Sequence, residues 1–240
     1  MKRPLCSLSF KTTANYEQNL QTLLQLIKST PKNALVVAPE VCLTGFDYEH
    51  FENAIEFAPY ALEEILKAVD GRIVIFTLIE RKGEDIYNSV KVLHNNSMVY
   101  ERGKCKLFKL GEEHKYFYED SEEKVEVIDV DGLKLGILIC FEMRFKNLWQ
   151  KCEGADVIAT PSWWGALRSE HFRAITQTLA IINQCYVVAS DSANEECSGL
   201  SGIITPFGED LRNENRACLE VSYDNKEVQK MRRYLDVGIG

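Results

Sequence analysis

Apolar and polar positions along this chain follow two rhythms. Pro4 to Phe10 reads as a short strand. After Asn15, the residues Leu20, Leu23, Leu24 and Ile27 recur at helical spacing and mark one face of an amphipathic helix. The run Ala34 to Ala38 is short and β-branched enough for a buried strand with Pro39 as its stop, which places Glu40 at a strand's C-terminal end. Leu62, Ile65, Leu66 and Val69 predict a second helix closed by Gly71, and 72–79 predicts another buried strand. The rhythm then shifts to period two. Residues 86–104 alternate around His94-Asn95-Asn96-Ser97 and residues 125–139 around Asp131-Gly132, so two hairpins follow two β-α units.

The second hairpin runs into LGILIC, which predicts Cys140 as the end of an apolar strand, with a helix over the following FEMRFKNLWQKC. ADVIAT, a helix from about Ser169 to Asn183, and CYVVAS repeat the β-α alternation. Further strands are expected near 200–205 and 217–222, joined through Pro206-Phe207-Gly208, and a last helix starts near Asp224. With no linker or repeat, residues 1–240 read as one layered α/β domain with mixed sheets, whose strand ends open into a crevice where loops converge.

Composition narrows the function. The chain has 240 residues, 45% of them hydrophobic, enough for a sizeable core. A net charge of -8 without any Lys/Arg-rich run argues against a nucleic-acid partner and leaves a small molecule as the default ligand. No stretch approaches the roughly 20 apolar residues of a membrane span, so the expected location is the cytoplasm. The eight cysteines are scattered singly, without a CxxC pair, and read as reduced thiols. The four histidines form no HxxxH or HExxH motif, so neither a metal nor another cofactor is expected, and a metal phosphohydrolase is disfavoured.

Three side chains stand at strand ends or a hairpin exit: Glu40 in VVAPEVCLTGF, Lys104 in ERGKCKLF and Cys140 in GILICFEMRF. Each alone has an ordinary reading, as a solvated turn residue, part of an exposed basic stretch, and a small buried hydrophobe, respectively. Together, PEVCLTGF, GKCKLFKLGEEH and LICFEMRF resemble, in order and context, the three catalytic motifs of the nitrilase (carbon-nitrogen hydrolase) superfamily. The N-terminal strand with Asn19-Leu20, TPSWWGALRSEHF, AIINQCYVV and SGIITPFGE extend the resemblance over nearly the whole chain, and its ω-amidase-like members are nearest in character.

That resemblance implies a four-layer α-β-β-α sandwich with two mixed sheets, a homodimer or higher homo-oligomer, and hydrolysis of a small linear amide through a thioester. Cys140 would be the nucleophile, Glu40 the general base, and Lys104 the oxyanion stabiliser together with the Phe141 amide. The alternatives are hydrolysis of an N-carbamoyl compound, or an idle or regulatory member that binds a partner. The family's register, Lys-x-x-Leu-Phe, selects Lys104 over Lys106 and Lys109, although strand alternation alone puts Lys104 and Lys106 on one face. Glu113, rather than Glu112, matches the glutamate that orients the lysine. Phe46, Tyr116, Phe141 and Trp163 follow the motif residues closely enough to line a pocket. Arg144 matches an arginine able to hold a substrate carboxylate, against the plainer reading of an ion pair in the following helix, and Arg168 poses the same choice. The departures are Lys106 for the usual His, Glu142 for the usual Asp, and apolar Leu179 and Ile182 in a helix that would contact a second copy.

Overall fold

The computed structural model describes residues 3–212 and 216–239. The N-terminal half supplies β1 (Arg3–Leu8), α1 (Tyr16–Ser29), β2 (Leu35–Val37), α2 (Phe51–Ala68), β3 (Ile73–Lys82), β4 (Asp85–His94) and β5 (Ser97–Gly103). The second half supplies β6 (Ile128–Val130), β7 (Leu133–Ile137), α3 (Lys146–Gln150), β8 (Val157–Ser162), α4 (Ser169–Asn183), β9 (Tyr186–Asp191), β10 (Gly202–Ile204) and β11 (Asp210–Arg212). Then come β12 (Cys218–Tyr223) and α5 (Asn225–Tyr234). The strands form two six-stranded sheets ordered β12-β1-β2-β3-β4-β5 and β11-β10-β9-β8-β7-β6. Both have the same plan. Three central strands run parallel, β1-β2-β3 in one and β7-β8-β9 in the other, and antiparallel strands flank them.

Strand alternation sorts the first sheet into two faces. Val36, Val74 and Phe76 pack with Leu20, Leu23, Ile27, Ala61 and Ile65 of α1 and α2. Leu35, Val37, Ile73 and Ile75 point the other way and join the core of the second sheet, with Val157, Val187 and Ile203. α4 and α5 close that sheet's far side through Phe172, Leu179 and Val228. The result is the α-β-β-α sandwich, with its apolar seam between the sheets.

Local chemistry explains most boundaries. The Asn15 side chain accepts the Gln18 N–H at 3.0 Å and caps α1, and Asp224 caps α5 through the Lys226 N–H at 2.9 Å. Both hairpin turns have left-handed residues at the two central positions, Asn95 and Asn96 in one and Asp131 and Gly132 in the other, which matches the twist of the strands they join.

Four expectations need correction. α2 begins at Phe51, well before the Leu62–Val69 stretch, and runs through Pro59. Small Ala54, Ala58 and Ala61 carry its buried face, so the apolar stripe is faint in sequence. The strand before Cys140 ends at Ile137. Cys140 opens a 3-10 turn over Cys140–Arg144, and only Lys146–Gln150 beyond it is α-helical. β11 arises by pairing with β10 across the Pro206-Phe207-Gly208 turn. Leu179 is fully buried inside its own subunit, so of the two residues expected at a contact between copies only Ile182, 55% exposed, lies on the surface. Among the described residues, no helix is long and apolar enough to cross a membrane.

Candidate active site

The ends of the central strands converge. Beyond β2, the Glu40 N–H donates to the Ser162 carbonyl of β8 in the opposite sheet at 3.2 Å, and the Val41 N–H donates to the Thr77 hydroxyl at 2.6 Å. Lys104 leaves β5 with its N–H still bonded to the Asn88 carbonyl at 2.8 Å. Cys140 follows β7 in a left-handed conformation, φ +44°, which is sparsely populated for a side chain with a Cβ.

Glu40, Lys104, Glu113 and Cys140 are thereby brought together, all buried. The Lys104 ammonium donates to Glu40 Oε1 at 2.7 Å and to Glu113 Oε1 at 2.8 Å. Asn88 Nδ2 donates to the same Glu40 oxygen at 2.8 Å, the Trp163 N–H donates to the other at 3.1 Å, and the Phe108 N–H holds Glu113 Oε2 at 3.1 Å. The Cys140 thiol points at the Trp163 carbonyl, 3.7 Å away.

Burial here sets the protonation states. It works against the Lys104 charge, but Glu113 and Glu40 outweigh it and hold the ammonium well above its usual range. Burial, helped by the negative charge of Glu40, keeps the Cys140 thiol well above its usual range despite nearby Lys104. Burial also raises the Glu113 carboxyl, against the pull of Lys104. At rest the thiol therefore keeps its proton, and proton acceptors are close by.

The neighbouring lysines and glutamate separate cleanly. Lys106 is outside the strand, pairs with Glu122 and lies 5.1 Å from the Phe145 ring. Lys109 is exposed, and Glu112 is an exposed turn residue paired with Lys115. The glutamate at 142 forms a buried joint. Its Oε1 accepts from Arg102 and from the Cys105 N–H, both at 2.7 Å, and its Oε2 accepts from Arg102 at 2.6 Å and the Ile139 N–H at 2.7 Å. One side chain thus ties the backbone beside Lys104 to the backbone beside Cys140.

Above Cys140 opens a narrow cleft with about 20 Å³ of free space, lined by Phe108, Phe141, Arg144, Trp163, Trp164, Gly165 and Arg168. Of the residues the sequence singled out near the motifs, Phe141, Trp163, Arg144 and Arg168 are among those that line it. Phe46 lies one layer back, edge-on to Trp163 with ring centroids 6.1 Å apart, and 5.9 Å from the Lys104 ammonium. Tyr116 does not line the cleft; it stacks on Tyr48 at 3.9 Å in an aromatic cluster with Phe51, because tertiary packing and not proximity to Glu113 sets its direction. Arg144 makes no ion pair within its own helix and instead stacks over the Trp164 ring at 4.8 Å.

Two residues of this region were not anticipated. Asn88 shares the inward face of β4 with Val90 and Val92, and a polar residue at a core-facing position of an alternating strand is the signal that marks it. Asp191, buried at the end of β9, accepts the Trp164 N–H at 2.8 Å, the Gly199 N–H at 3.1 Å and the Ser198 hydroxyl, and so fixes the loop carrying Trp163 and Trp164. Burial pushes its carboxyl up to about 7, against those hydrogen bonds. Among the described residues, no group of three or more His, Cys, Asp or Glu side chains is placed to hold a metal ion.

Comparisons with known proteins agree with this architecture. The chain is 28% identical over 234 residues to the 2-oxoglutaramate amidase of Bacillus subtilis (strain 168), covering 92% of this chain and 90% of that one. It is 26% identical over 211 residues to omega-amidase NIT2-B of Xenopus laevis, covering 80% and 76%. Its fold superposes with a TM-score of 0.83 on Saccharomyces cerevisiae Nit3, a member of the nitrilase superfamily, at 19% identity over 99% of this chain and 95% of that one. The carbon-nitrogen hydrolase family model matches residues 5–233, and with the sandwich and converging strand ends described above this chain belongs to that family.

Proposed function

We propose that the cleft hydrolyses the terminal amide of a short linear ω-amide, releasing ammonia and a carboxylate, with Cys140 as nucleophile. The observation that carries this reading is the single ammonium of Lys104 held between the carboxylates of Glu40 and Glu113 beside a protonated, buried thiol. A thiol kept neutral needs a base at the moment of attack, and Glu40 Oε2, with one N–H donor at 3.1 Å, has a lone pair to spare.

The Cys140 proton passes to Glu40 as sulfur bonds the amide carbon, and the carbonyl π electrons move to oxygen. Lys104 and the Phe141 N–H meet the resulting oxyanion. When the C–N bond breaks, Glu40 returns the proton to the leaving nitrogen, giving ammonia and a thioester. Glu40 then deprotonates water, hydroxide adds to the thioester carbon, the C–S bond breaks and sulfur recovers the proton. The relatives named as amidases of 2-oxoglutaramate and other ω-amides support the substrate class.

The test is ammonia release from a panel of ω-amides, simple amides and carbamoyl amino acids by native protein and Cys140→Ala, with mass spectrometry of the acylated protein. Release from glutaramate that disappears in the variant is the expected result. Release only from carbamoyl compounds would replace the substrate class, and none from either protein would overturn the amidase reading.

A further inference from the structure

The first and last strands of the chain carry a pair of thiols on one face. Across the β1–β12 ladder Cys6 faces Glu220 and Leu8 faces Cys218, so the two cysteines lie diagonally, two positions apart and on the same side of the sheet. Cys218 packs against the same apolar cluster that holds Cys6, between the first sheet and its helices. β12 is the outermost strand of that sheet, with β1 as its one neighbour.

Exposure and charge single out the same cysteine among the eight. Seven are buried and Cys218 is only partly so. A hydrogen bond from the Cys6 thiol lowers the Cys218 thiol, and it outweighs partial burial and the negative charge of Glu220. The same bond, followed by burial, drives the Cys6 thiol up and keeps its proton in place. Burial raises the remaining six, Cys140 among them. Oxidants take the thiolate, so the accessible thiol with the lowered range reacts first, and that thiol is Cys218 rather than the nucleophile of the cleft. A second thiol in contact with it supplies the partner that resolves a first oxidation product.

We propose that Cys218 and Cys6 form a peroxide-sensitive modification site, in which Cys218 is oxidised and Cys6 resolves it into a reversible disulfide between β12 and β1. The Cys218 thiolate attacks one oxygen of hydrogen peroxide. An S–O bond forms, the O–O bond breaks, and the departing hydroxide leaves as water with the proton that Cys218 gave up. The Cys6 sulfur then attacks the sulfenic sulfur. The S–S bond forms, the S–O bond breaks, and the Cys6 proton leaves with that hydroxide as a second water. The two thiols together give up two electrons and one peroxide is reduced.

The diagonal placement sets the character of the bond. Cα atoms diagonal across an antiparallel pair lie about 7–8 Å apart, whereas a relaxed disulfide spans about 4.4–6.8 Å, so closure draws β12 inward by roughly an ångström. An edge strand held on one side can make that shift, and the strain it stores leaves the bond easy to reduce, which suits a reversible response over a permanent staple. The inference goes beyond the amidase reading, and no step of it involves Cys140.

The test is peptide mapping of the native full chain after exposure to hydrogen peroxide, with free thiols blocked and no reductant added before mass spectrometry. The expected result is a Cys6–Cys218 cross-linked peptide pair and a fall of two in the eight free thiols, both reversed by dithiothreitol. Limiting iodoacetamide should label Cys218 at least about tenfold faster than Cys140. In Cys6→Ser the sulfenic acid at Cys218 should persist long enough for dimedone to trap it, and in Cys218→Ser the Cys6 thiol should stay reduced. Peroxide oxidation of Cys140 or another thiol with Cys218 left reduced would overturn the site. So would Cys218 advancing to sulfinic acid in native protein while Cys6 stays free, or a disulfide joining Cys218 of two chains. The mapping is decisive on native protein alone, so a variant that does not fold leaves the decision intact. Failure of ammonia release would remove the amidase reading without moving this result, and an absent cross-link would leave the amidase reading as it stands.

Discussion

Two buried charge clusters lie two residues apart in sequence, at Arg102 and Lys104, and they are built in opposite ways. Around Arg102, one guanidinium meets one carboxylate, and every oxygen of Glu142 accepts two hydrogen bonds. Charge is balanced and no acceptor is idle. Around Lys104, one ammonium serves two carboxylates, a neutral thiol adjoins them, and Glu40 Oε2 takes one N–H. A balanced pair whose carboxylate is saturated with donors has nowhere to put a proton and suits a joint. A cluster with one acid more than its cations can match holds a place for a mobile proton, which is what double-displacement chemistry needs.

The sharpest way to break the contrast is to remove the spare lone pair. Glu40→Gln keeps the side chain's shape but not its basicity. We expect kcat for ammonia release to fall on the order of 10³-fold, with the thermal melt little changed. Removing the joint should do the reverse. Glu142→Ala strands the Arg102 charge and should lower unfolding free energy by about 3–5 kcal/mol in a urea titration, whereas Arg102→Met with Glu142→Leu should lose less because no lone charge remains.

A smaller effect comes from the second carboxylate. Glu113→Gln leaves Lys104 one ionic partner and should cost roughly tenfold to a hundredfold in kcat/KM, the worth of one charge-assisted hydrogen bond. Because Glu113 helps keep the Cys140 thiol protonated, the variant's iodoacetamide alkylation profile should move to lower pH. The smallest effect concerns Asp191, a buried acid that accepts several hydrogen bonds but has no ion-pair partner within salt-bridge distance among the described residues. Its carboxyl lies near 4 when unfolded and is pushed up to about 7 when folded, so the folded state holds the extra proton between those values. Its contribution to stability is full below about 4 and is lost as pH rises to about 7. Asp191→Asn should flatten that fall, measured as melting temperature from pH 4 to 8.

Legibility followed the range of the interactions. The hairpins were readable because Asn95-Asn96 and Asp131-Gly132 encode their turns locally, and the α1 start because Asn15 caps it. Glu40, Lys104 and Cys140 stood out by lying just beyond apolar strands and through motif resemblance, and their side chains lie together in the fold. What the pattern could not carry is long-range. Arg102 sits in a strand where an arginine would ordinarily face water, and its partner is 40 residues away. Tyr116 is three residues from Glu113, yet its direction depends on Tyr48, far off in sequence. The 3-10 turn at Cys140 replaced the expected strand end and helix because Glu142 binds back to the Ile139 N–H and tightens the backbone there.

The pairing of β1 with β12 has a consequence for how the chain is made. Leu8 finds its partner Cys218 only after 210 further residues. At about 5–20 residues per second, a ribosome takes on the order of 10–40 s to deliver them. Through that interval one flank of β1 is an open strand edge, a template for pairing with another chain. Yield in cells should therefore depend on translation speed and on chaperones that shield the N-terminal strand, more than on the stability of the finished sandwich.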